Sequence, residues 1–165
     1  MGRKRAEHRN LYLPRELQGT GEARALWKKE LELYETLGCV DTVWIESERI
    51  GRYANIRSGV EFRDSTERSK VVGAVETVST GLGIAVDVST LRHPWDVAEM
   101  PERTSRDDVE GAGFVFDPDV RFNDKTCIPL GKAALLTSAC PNWVGRIDLD
   151  PPSETYRRLR EYIDG

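Results

Sequence analysis

Apolar residues recur along the chain at two spacings, and the switches between them mark its elements. From Glu22 to Leu37, Trp27, Leu31 and Tyr34 stand at i, i+4 and i+7, joined by Leu26, Leu33 and Leu37. Lys28, Lys29, Glu30 and Glu32 fill the opposite side, which predicts an amphipathic helix that Gly38 ends. Residues 40–45 are rich in β-branched and aromatic side chains and read as a strand, with a second strand expected over 52–56. Asp64, with Glu67 three positions on, makes a capping pair that opens the next helix. Val71, Val72, Val75 and Val78 give that helix its apolar side, and Gly81 and Gly83 close it. Ile84, Ala85, Val86, Asp87 and Val88 form a short apolar run of strand type.

The pattern then loosens. Residues 92–124 hold His93, Pro94 and Trp95, many carboxylates and a strand-like island at 114–116, and read as a long irregular segment of the kind that often binds ligands. Order returns at 126–130, at 133–138 and at 144–149, and the last two read as neighbouring antiparallel strands. Pro151, Pro152 and Ser153 start a closing helix with Ser153 as its N-cap, and Tyr156, Leu159 and Ile163 share one of its faces.

A length of 165 residues fits one domain, which at this size buries roughly 68–70% of the surface its unfolded chain exposes. With 39% hydrophobic residues and a net charge of −4, the composition excludes collagenous, disordered and supercharged classes. No apolar run approaches the ~20 residues of a membrane span, and no signal-peptide core follows Met1, so a cytoplasmic protein without membrane contact is expected. Arg3, Lys4, Arg5 and Arg9 stand among almost nothing apolar. Residues 1–20 therefore read as a flexible basic arm ahead of a single domain over 21–165.

Cys39, Cys127 and Cys140 make no CxxC pair, and with His8 and His93 they lack zinc-ligand spacing, so no disulfide framework, metal or cofactor is expected. Asp107, Asp108, Asp117 and Asp119 could offer oxygens to a divalent cation, but no further ligand spacing accompanies them and a solvated acidic loop is the favoured reading. Pro118 and Asp119 lack the second carboxylate that a two-metal nuclease needs. Phosphate-loop, dinucleotide, metalloprotease and serine-hydrolase motifs do not occur.

Three segments together resemble a GAF domain, a small α/β sensor module. Residues 72–81 (Val72, Gly73, Ala74, Val75, Glu76, Thr77, Val78, Ser79, Thr80, Gly81) followed by 84–88 are similar to the family's glycine-bearing helix, Thr-Gly stop and apolar strand. His93, Pro94 and Trp95 fall where such domains often carry an Asp-Pro-Arg-aromatic turn. Cys127, Ile128, Pro129 and Leu130 resemble the family's Pro-Leu strand, and 144–150 its last core strand. The match spans about 22–163, and the island at Phe114 has no counterpart in it.

The resemblance implies an α+β, GAF/PAS-like fold: a central antiparallel sheet of five or six strands, helices on one face, and a pocket on the other beneath the irregular segment. It also implies a homodimer through the first and last helices. Asp87, His93, Trp95 and Trp143 are the expected ligand-binding residues; Asp87 needs a partner if buried, and the two indoles serve equally well as core. The function expected is small-molecule sensing by ligand-dependent conformational change.

Two alternatives stand beside it. One is a thiol-dependent oxidoreductase resembling the free methionine sulfoxide reductases, using Cys127 and Cys140, although neither lies where that family keeps its working cysteines. The other is a nucleic-acid partner acting through the basic arm.

Overall fold

The computed structural model describes residues 4–8, 14–38, 40–120 and 127–165. Arg3, Arg9 and Cys39, together with 121–124 of the expected irregular segment and 126 of the segment after it, lie outside them.

A four-stranded sheet is the scaffold. Its order is β1 (Lys4–His8), β2 (Val40–Ser47), β6 (Trp143–Asp148) and β3 (Glu61–Phe62). The β1–β2 pair is parallel and the other two pairs are antiparallel. Strand alternation sorts the side chains. Val43, Ile45, Trp143, Ile147 and Phe62 turn to the core, while Thr42, Trp44, Glu46, Val144, Arg146 and Glu61 turn away from it.

Helices cover the inner face. α1 (Glu22–Leu37) buries Trp27 and Leu31, and α7 (Glu154–Asp164) buries Leu159 and Ile163. The two pack together, with the Tyr156 hydroxyl donating to Glu35 at 3.0 Å. α3 (Ser65–Leu82) is capped by the Asp64 carboxylate, which accepts the Glu67 amide at 3.0 Å, and stops at Gly83, whose φ of 67° favours glycine. Val71, Val75 and Val78 on α3 are fully buried. These elements and both capping residues agree with the periodicity.

Several expectations are overturned. The supposed arm supplies β1: Ala6 pairs with Val43 and His8 with Ile45 on the inner side, and His8 stacks on Trp27 at 5.1 Å. Residues expected as a second strand form α2 (Gly51–Arg57), because Arg52 and Ile56, one turn apart, are the buried pair. The expected strand at 133–138 is α6 (Leu130–Leu136), buried on nearly every side. An apolar run with no polar face carries no period to separate a buried helix from a strand.

Residues 84–87 of the run 84–88 belong to no strand, and Val88 opens a 3-10 turn. Ile84, Val86 and Val88 pack against the core while Ala85 and Asp87 face out, so its alternation is real and the ladder is missing. That run carried the strand of the GAF resemblance.

The segment expected to be irregular contains α4 (Pro94–Ala98), β4 (Arg103–Ser105) and α5 (Arg106–Gly111). Its described elements pack against α2, α3 and α6. β4 pairs with β5 (Cys127–Pro129) in a separate two-stranded sheet, and Phe116 bridges to Thr137. A second apolar cluster of Val109, Phe116, Val120, Ile128, Ala133 and Leu136 fills the space beneath. The molecule is thus mixed α and β with an open, mainly antiparallel sheet. No helix among the described residues is long and apolar enough to cross a membrane.

Candidate functional site

The outer face of the main sheet is the surface that folding leaves uncovered among the described residues, and strand register orders it into rows. Arg5, Thr42 and Asp148 form one row; Glu7, Trp44, Arg146 and Glu61 form the next. Glu46 and Val144 begin a third, which Arg63 joins by donating its amide to the Val144 carbonyl at 3.1 Å.

Trp44 stands at the centre. The Arg5 guanidinium lies 3.7 Å from the centroid of its ring and that of Arg63 lies 5.0 Å away. Both are further anchored by carboxylates, Arg5 on Glu7 at 2.7 Å and Arg63 on Asp64 and Glu67 at 3.0 Å each. A guanidinium stacked on an indole keeps its N–H edge directed sideways, ready for a planar oxyanion. Lys4 and Arg146 complete the wall, and neither has a carboxylate within ion-pair distance among the described residues. These four cations, Trp44 and Asp148 line a concavity of about 260 Å³, with Thr42 on its floor. Thr42 donates its hydroxyl to Asp148 at 3.3 Å, which engages the one acid of the lining.

The expected ligand residues are dispersed. Asp87 is exposed and caps a 3-10 turn at Val88–Thr90. The hydroxyl and amide of Ser89 hold its carboxyl below the usual carboxylate range. It borders a groove of about 450 Å³ with Asp96, Glu99 and Glu102, but Asp96 is already occupied by the amides of Arg92 and His93. Trp143 is core: it is 1% exposed and meets Phe62 edge-on at 5.4 Å.

His93 and Trp95 do come together, their rings stacked at 4.6 Å, with the Arg158 guanidinium 4.1 Å from the Trp95 ring. His93 Nδ1 also contacts Glu61 Oε2, so this half-exposed imidazole adjoins the end of the Trp44 row. Trp95 itself is buried.

The two thiols are unlike each other. Cys127 is exposed on β5; Cys140 is buried, and burial pushes its thiol up to about 11. A thiol held protonated makes a poor nucleophile or resolving group at neutral pH. Of the acidic residues read as a solvated loop, two stand in ion pairs. Asp117 pairs with Arg52, Asp119 with Arg49 at 3.3 Å, and Asp107 and Asp108 lie in the first turn of α5. Among the described residues no three His, Cys, Asp or Glu side chains are grouped to hold a metal ion.

Sequence reasoning passed over Trp44, Arg63 and Arg146. One signal was available: in the alternation of β2, Trp44 is the large aromatic on the polar side, between Thr42 and Glu46. Comparison with known proteins finds no matching family model, curated protein or solved structure.

Proposed function

We propose that this protein is a binding module for a small organic anion with a flat apolar body, seated on the open sheet face beside Trp44. The pairing state of the basic side chains carries this reading. Arg5 and Arg63 are pinned against the indole, while Lys4 and Arg146 are left without acidic partners among the described residues in a concavity with a single carboxylate. A volume of about 260 Å³ falls just under the roughly 300–1,000 Å³ of ordinary ligand pockets, which favours something the size of an aromatic carboxylate.

The sensor reading is kept in this form. Val43 and Ile45 flank Trp44 in β2 and pack on the opposite face into the core that α1 and α7 share, so occupancy of the outer face has a packed route to the helix pair. The homodimer expectation now rests on Leu26, Leu33 and Leu37, which are exposed along α1, and light scattering on the purified chain tests it.

The basic segment favours an anionic ligand but not a polynucleotide. Glu7, Glu46 and Glu61 border the positive patch, so it is local rather than a track for successive phosphates. The thiol-reductase reading loses support from the protonated, buried Cys140.

The test is a titration with a panel of aromatic carboxylates at fixed ionic strength, followed by tryptophan fluorescence and thermal shift. Binding is expected to weaken roughly tenfold or more in Arg146→Ala, the loss of one charge-assisted contact. If no member of the panel distinguishes the native chain from Arg146→Ala, the reading falls.

A further inference from the structure

Three basic side chains, Lys132 of α6, Arg57 of α2 and Arg103 of β4, come from elements that pack together around the start of α6. The Lys132 ammonium lies 4.8 Å from the centroid of the Tyr53 ring. Arg57 stands four residues after Tyr53 on α2, hence one turn along the same helix face. Arg103 comes from β4: its Cα pairs with that of Pro129, the residue before α6, and its guanidinium donates to the Cys127 carbonyl at 2.6 Å. The Leu130 amide donates to the Glu102 carbonyl at 2.8 Å, which fixes β4 against the first turn of α6.

None of the three has a carboxylate within ion-pair distance among the described residues. The chain carries 28 acidic residues against 24 basic ones, so a cluster of unopposed cations is not forced by composition. Lys132 is half-buried whereas Arg57 and Arg103 are exposed, and a cation partly withdrawn from water beside like charges is costly until something neutralises it. Lys132 registers that cost: burial, then the charges of Arg57 and Arg103, hold its ammonium below the usual lysine range.

We propose that Lys132, Arg57 and Arg103 form a binding site for a small oxyanion of the phosphate class, either the free ion or the terminal group of a phosphate monoester. Two guanidiniums offer paired N–H edges, and the ammonium adds a point charge over the Tyr53 ring. The site is separate from the Trp44 concavity and does not depend on it.

The experiment follows the ¹³Cε resonance of Lys132 in the full chain while inorganic phosphate or glycerol phosphate is added at constant ionic strength, chloride being the balancing ion. Binding of either raises the titration midpoint of Lys132 and is saturable. Arg57→Gln and Arg103→Gln each weaken it roughly tenfold or more, whereas Arg146→Ala leaves it unchanged. Preference for the ester or the bare ion identifies the source of the phosphate group. A Lys132 resonance indifferent to millimolar phosphate overturns the proposal, as does a response that survives both arginine substitutions. Loss of the aromatic-acid titration at Trp44 would leave this result untouched, so the two readings fail separately.

Discussion

Glu67 on α3 accepts the backbone amide of Val144 on β6 at 2.8 Å, placing a carboxylate that is 2% exposed where helix meets sheet. Arg63 and Lys70 reach the same group at 3.0 Å, one turn before and three residues after it on either side of Glu67. A single side chain thus caps a ladder gap, neutralises two cations and ties the long helix to the central strand.

Removing that side chain is expected to be expensive. Glu67→Ala strands the Val144 amide, at about 1–3 kcal/mol, and in addition takes a partner from half-exposed Lys70 and from Arg63, which keeps Asp64. Glu67→Gln keeps an acceptor for the amide and is expected to cost less. Urea denaturation of the two variants at neutral pH checks the order, and equal losses would mean that the amide contact contributes nothing.

Arg52 plays the matching part for the second cluster. Its side chain is 6% exposed, and it donates to the Arg49 carbonyl at 3.1 Å, to the Cys140 carbonyl and to Asp117. Arg52→Met is expected to destabilise by about 3–5 kcal/mol and to loosen the turn that buries Cys140. Alkylation with iodoacetamide, mapped by mass spectrometry, should modify Cys127 but not Cys140 in the native chain. Cys140 should become reactive in the variant. Rapid native labelling of Cys140 would contradict its burial.

Legibility in the sequence followed the kind of force involved. α1, α3 and α7 were readable because each shows one apolar side to the core and a capping residue at its end, a pattern local to the element. α2 was misread because what fixes it is Arg52, whose partners Cys140 and Asp117 lie 88 and 65 residues away. β1 was misread because its inward residues, Ala6 and His8, carry little hydrophobic signal, and the strand depends on the edge of β2. The site suffered likewise. His93 and Trp95 could be singled out as neighbours in sequence, whereas the Trp44 concavity is assembled from β1, β2, β6 and Arg63 by register alone.

Alkaline stability should report on Tyr34. Its phenol accepts the company of His8 and Glu30, and burial together with the Glu30 charge pushes it up to about 12 from 10.0. The folded state therefore prefers the protonated phenol. The contribution is complete below the unfolded value of 10.0 and is lost as pH rises from there towards about 12. Tyr34→Phe should lack this loss and show a flatter stability profile across that window. Ultraviolet titration should show equal numbers of tyrosines ionising in the ordinary range in the native chain and in Tyr34→Phe, with a late-ionising phenol present only in the native chain.

The approach of α6 to α4 gives the last expectation. Gly131 is buried in the first turn of α6, and a Cβ built there would meet the carbonyl group of Val97, 2.6 Å from its carbon, and the Val97 side chain at 2.9 Å. Backbone cannot rotate aside as a side chain does, so Gly131→Ala must push the two helices apart. The expected cost is about 1–3 kcal/mol, the usual range for overpacking. The gain in helix propensity, roughly 1 kcal/mol for glycine to alanine in an unobstructed helix, acts in the opposite direction. Thermal unfolding decides between them: a lower midpoint means that contact with Val97 dominates, and a higher one would show that α4 can move away at no cost. Because α4 carries Trp95 and is preceded by His93 as its N-cap, a shifted helix should also disturb the stacked pair, which indole fluorescence would register in the same sample.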